Sequence, residues 1–84
     1  MDVATTTLAE RIARALAGSD HSANASGTEQ SASTSVDETW RGYLEQANII
    51  LRTIREPSSA MSVVGDVRVW SAMVEQAIME GDAI

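Results

Sequence analysis

Few residues in this chain could carry chemistry. Its one histidine, His21, stands beside Asp20. Such a pair is the start of a general-base arrangement, because a carboxylate can orient an imidazole that titrates near neutrality. The pair lies in a polar run with nothing rigid to aim it, so a solvated loop pair is the expected role. Carboxylates are more numerous, 12 in all. Glu80 and Asp82 could approach each other at the end of the last helix, whereas Glu75 and Glu80, five positions apart, do not share a helix face. Solvated terminal charges account for all three. The chain has no cysteine, which removes thiolate nucleophiles, disulfides and sulfur-rich zinc sites. Phosphate-loop, H-E-x-x-H, G-x-S-x-G and calcium-loop patterns are also missing. The expectation is a non-enzymatic chain with no catalytic, cofactor-binding or metal-binding residue.

Residues suited to recognition are easier to find. Trp40 and Trp70 each open an apolar stripe, so each is first a core anchor; whichever is exposed becomes an interaction hot spot. Ile49 points off its stripe and offers a second contact surface. Arg52 and Arg55 sit at a helix end, where positive charge complements the dipole, and they could also meet phosphate. The balance of charge opposes that use. Six arginines and no lysine face twelve acids, for a net charge of −6 over 84 residues and 9.0 kDa. A field of that sign repels a nucleic-acid backbone and disfavours direct nucleic-acid binding.

So small a chain buries a modest fraction of its surface, and association with itself or a protein partner is one way to gain stability. Met1–Thr7 lacks the basic leader and apolar core of a secretory signal, and no run approaches the roughly 18 apolar residues of a membrane span. A cytoplasmic protein with no membrane association is the expectation.

The elements follow from caps and periodicity. Thr7 with Glu10 forms a capping box for a helix to about Ala17, with Leu8, Ile12, Ala15 and Leu16 as its stripe and Gly18 as its C-cap. Residues 19–36 hold six serines, two threonines and one apolar residue larger than alanine, too little to offset the entropy of ordering; they read as a flexible linker, an ordered polar loop being the alternative. Ser35 with Glu38 forms a second capping box. Trp40, Tyr43, Leu44, Ala47, Ile50, Leu51 and Ile54 then recur at helical spacing, with Arg41 and Glu45 paired four apart on the other side. Pro57 ends this helix near Arg55.

Ser58 caps a short turn of helix closed by Gly65. The competing reading is a small hairpin about Gly65–Asp66. Asp66 caps a last helix from Val67 to about Glu80, stopped by Gly81, whose stripe is Trp70, Met73, Val74, Ala77 and Ile78, assisted by Val67. The chain thus divides into an N-terminal helix and cap (1–18), a linker (19–36) and a helical core (37–84).

Leu8–Leu16, Trp40 with Tyr43–Leu44, Ile54–Ser58, Ala60–Met61, Gly65 and Val69–Ile78 resemble a group of small helical proteins from alphaproteobacterial and phage-related genomic regions. Members of that group more often carry a cysteine and an acidic, glycine-rich loop after the first helix, where this chain has Ala17-Gly18-Ser19-Asp20. The resemblance implies a small helical protein associated with a mobile element, and carries over no substrate or functional residue.

The expected fold is all-α: a helical hairpin or three-helix domain with a short helical turn between its two long helices. The expected role is a structural or protein-interaction module, with a homodimer as one form of it. The alternative is an acidic regulator of a nucleic-acid-binding protein. If the two long stripes face each other, Leu51→Ala should lower unfolding stability by about 2–5 kcal/mol, read as a shifted denaturation midpoint.

Overall fold

The computed structural model describes residues 3–24 and 35–84, so residues 25–34 of the expected linker lie outside the described residues. Helix α1 spans Leu8–Asn24. Residues 35–39 form α2, which tightens into a 3₁₀ turn at Trp40–Tyr43 and leads into α3, Leu44–Ile54. Helix α4 is Ser59–Val64 and α5 is Val67–Asp82. The fold is all-α, and among the described residues there is no strand. The region about Gly65–Asp66 is therefore a junction between helices and not a hairpin.

Several starts and stops obey local chemistry. The Glu10 amide donates to Thr7 Oγ1 at 3.1 Å. The Glu10 carboxylate instead accepts from Arg14 Nε at 2.9 Å, so the ion pair has taken the acid that a reciprocal capping box would use. Ser58 Oγ accepts the Met61 amide and caps α4. Asp66 accepts the Arg68 and Val69 amides and caps α5. Helix α3 stops before Pro57 as expected. Ser35 is already helical, so it is not the N-cap of its helix; its carbonyl accepts from Thr39 Oγ1 at 2.5 Å.

Helices α1, α3 and α5 pack against one another, and α1 also packs on the 3₁₀ turn. What brings them together is small: Ala9, Ala13, Ala17, Ala47 and Ala77 are buried, and Leu51 is the largest fully buried side chain. The stripe of α1 is therefore the alanine row at positions 9, 13 and 17. Leu8, Ile12 and Leu16 flank it half-buried, and Ala15 is exposed. An alanine row lets two helix backbones approach, while the larger residues close the sides of the contact.

Two expected helix stops are passed. Gly18 lies inside α1, and a Cβ built there would make only an ordinary contact, 3.6 Å from Val36 Cγ2; the helix continues despite the roughly 1 kcal/mol that glycine costs a helix interior. Residues 19–24, expected in the linker, continue the helix.

Gly81 likewise lies inside α5 and is buried. A Cβ there would fall 2.5 Å from Asn48 Oδ1 and 2.8 Å from the Ala9 Cβ. Glycine stands at position 81 because α1, α3 and α5 all meet there. The Asn48 Oδ1 is itself buried without a hydrogen-bond donor, which adds a cost to this crowded junction.

The stripe of α5 also differs from expectation. Val74, Ala77, Ile78 and Gly81 are buried and Trp70 is partly buried, but Met73 and Val67 are exposed. They turn away from α3 toward α4, which makes no substantial packing with any other helix.

Two glycine substitutions should move stability in opposite directions. Gly81→Ala forces α1 and α3 apart and should cost about 1–3 kcal/mol by overpacking. Gly42→Ala meets nothing within 4 Å and should gain up to about 1 kcal/mol from helix propensity. Paired thermal or urea denaturation reads both signs.

Candidate interaction surface

The two tryptophans have different fates. Trp40 is 4% exposed and packs with Ala13, Ala17 and Ala47. The guanidiniums of Arg14 and Arg41 lie 5.2 and 4.4 Å from its ring centroid, a cation–π arrangement. Arg14 also bonds Glu10 at 2.9 Å and Asp37 at 2.6 Å. Those hydrogen bonds, Asp37's first, raise the guanidinium pKa above its ordinary value. Trp40 is thus a core anchor, and Arg41 lies over the indole where an ion pair with Glu45 was expected.

Trp70 is only partly buried, and its edge does specific work. Its indole N–H donates to the Ile54 carbonyl at 2.7 Å, and Ser71 Oγ donates to the Arg55 carbonyl at 3.3 Å. The last carbonyls of α3 have no partner within their own helix, so α5 supplies the donors that Pro57 prevents the chain from providing. The rest of the Trp70 side chain helps line two recesses. One, of about 380 Å³, lies between α4 and the start of α5 and is lined by Met61, Val64, Val67, Val69, Trp70 and Met73, with Pro57 at its edge. The other, of about 500 Å³, takes in Val3, Leu8, Ile54, Trp70, Met73 and Gln76. Trp70 and Met73 line both, so the two recesses adjoin along α5.

The exposure around the first recess is large: Val64 is 87% exposed, Val63 84% and Met73 67%, with Met61, Val67 and Val69 also exposed. A contiguous apolar patch of this kind marks an interaction site more readily than scattered single residues do. Ile49 is exposed as its register implies, but it lies on α3 and does not line either recess.

Arg52 and Arg55, candidates for a phosphate patch, are each spent on an acid of α5. Arg52 lies 3.7 Å from Asp82 and Arg55 3.8 Å from Glu75. These exposed pairs add little stability, but they neutralise the only arginine cluster of the α3 end. The same two contacts set Glu75 and Asp82 beside arginines.

Asp20 accepts the Tyr43 hydroxyl at 2.7 Å, a contact between residues 23 positions apart. Among the described residues no three His, Asp or Glu side chains gather into a metal-binding group, and no helix is long and apolar enough to cross a membrane. Sequence reasoning identified Trp70. It placed Val67 and Met73 in the core and gave Met61, Val63, Val64 and Val69 no site role; the run of valines on both sides of Gly65 was the signal that an apolar surface was there.

The Asp20 contact gives a spectroscopic test. The hydrogen bond to Asp20, ahead of desolvation, raises the Tyr43 pKa, so the protonated phenol is favoured in the folded state. Its contribution to stability is present below the pKa of an unfolded tyrosine and is lost as pH rises through the folded value. Tyrosinate absorbance of this single tyrosine should therefore titrate above a free tyrosine, and Asp20→Ala should lower the midpoint. No family model, curated protein or solved structure matches the chain.

Proposed function

We propose that this chain is a non-enzymatic protein-interaction module, acting in the cytoplasm, whose docking face is formed by α4 and the first half of α5. The observation that carries this reading is the exposed apolar surface around the α4–α5 recess. Met61, Val64, Val67, Val69 and Met73 line it and face water, while the core itself is built largely of alanine.

In a chain of this size, every large apolar side chain left outside is one withheld from the core, which costs stability. The helix that presents much of this surface, α4, is held by its Ser58 cap and by chain connectivity, since it packs substantially on no other helix. Among the described residues no other helix covers it.

The surroundings fit a protein surface better than a small polar ligand. A site for such a ligand gathers several polar groups around an apolar pocket. Here the polar side chains at the recess are engaged locally: Asp66 caps α5 and Ser62 Oγ donates to the Ser59 carbonyl at 2.6 Å.

A photo-crosslinking residue at position 64 or 73, introduced in the source cell, should give a discrete protein adduct. The same residue at position 49, exposed but away from the recesses, should not. Absence of adducts at 64 and 73, or equal yield at all three positions, would overturn the reading.

A further inference from the structure

We infer that the occupant of this face is a second copy of the chain, packed α4–α5 against α4–α5 about a two-fold axis; the inference rests on the docking reading above and names its partner. The first argument is charge. The chain carries −6 overall, yet the stretch from Pro57 to Met73 holds one acid, Asp66, and one base, Arg68. A face evolved for a basic protein would carry the acids of this chain, and one for an acidic partner would carry its arginines. This face carries neither excess, so two copies can meet there without juxtaposing like charges, and Arg68 of each can approach Asp66 of the other.

The second argument is shape. An isologous contact uses one patch twice, so the patch must hold both a projection and a recess. Val63, at 84% exposed, lies on α4 outside the lining of the recess of about 380 Å³, and Val64, at 87%, is part of that lining.

The third is area. The exposed fractions of Met61, Val63, Val64, Val67, Val69 and Met73, taken at roughly 60–120 Å² per apolar side chain, amount to roughly 230–450 Å². That is from about half up to nearly all of the apolar share of one side of a standard interface, which buries about 800 Å² per partner, and fits a dimer at the weak end of the range.

The assembly should respond to salt in a diagnostic direction. Two copies of net charge −6 repel at long range while their contact is neutral, so raising salt from roughly 0.05 to 0.5 M should tighten a dimer by screening that repulsion. A complex between this acidic chain and a basic protein would weaken over the same range.

The test is the mass of the purified full chain by light scattering or sedimentation at roughly 100 µM, a concentration that populates any dimer of low-micromolar affinity. The expected result is twice 9.0 kDa, strengthened by salt, with tryptophan emission shifting to the blue as concentration rises because Trp70 becomes covered. Val64→Asp and Val69→Asp should each restore the monomer while circular dichroism stays helical; both positions are exposed, so neither substitution breaks the core.

A monomer throughout, or a dimer indifferent to both substitutions, overturns the second-copy assignment. If the chain is monomeric but crosslinks at positions 64 and 73 in cells join it to a different protein, the docking reading stands and only its partner changes. If those crosslinks are also absent, both fall. A co-purifying small apolar molecule that protects Trp70 in a monomer likewise overturns the assignment.

Discussion

The fold depends on how closely three helices can approach. Ala9, Ala13 and Ala17 on α1, Ala47 on α3, and Ala77 and Gly81 on α5 are all buried, and at the tightest point not even one methyl group would fit. Close approach brings many backbone and β-carbon atoms into contact, each contributing a small dispersion gain. Among the described residues Leu51 is the largest side chain fully enclosed, with Trp40, Val74 and Ile78 nearly so. The apolar residues that such a core cannot house appear on α4 and the outer side of α5. The narrow centre and the oily exterior are two results of one packing solution.

Between centre and exterior stands Trp70. Its N–H closes the carbonyl end of α3, and its ring helps line both recesses. A single side chain thus ties α5 to the end of α3 and forms part of the surface α5 presents. The ion pairs Arg52–Asp82 and Arg55–Glu75 bridge the same two helices at their rim, where they contribute register more than stability.

Much of the architecture was legible because its signals are local. Thr7, Ser58 and Asp66 cap where their side chains can reach the next amides, and Pro57 breaks a helix whatever surrounds it. The broad stripe from Trp40 to Ile54 also kept its assigned face. Gly18 and Gly81 were misread because a glycine at a plausible stop reads the same whether or not the helix ends there; at Gly81 the residue is a clearance point for Asn48 and Ala9, and at Gly18 the helix simply continues. Met73 and Val67 were placed in the core because α5 is apolar over a wide arc. Periodicity defines that arc, but only the position of α3 and α1 decides which part of it is covered. The candidate surface was therefore half visible, with Trp70 named and its neighbours assigned elsewhere.

The buried residues form two groups. One gathers Ala9, Leu51, Val74, Ala77 and Ile78; the other gathers Ala13, Ala17, Trp40 and Ala47; Ile12 and Leu44 touch both. Helix α5 belongs to the first group alone. The far half of α1 and the Trp40 turn can consequently open as a cooperative unit while the α3–α5 pair stays closed, giving the molecule a graded resistance to unfolding along its length. Opening of that unit would leave Leu51, Val74, Ala77 and Ile78 packed together, so the α5 side of the oily face would keep its support.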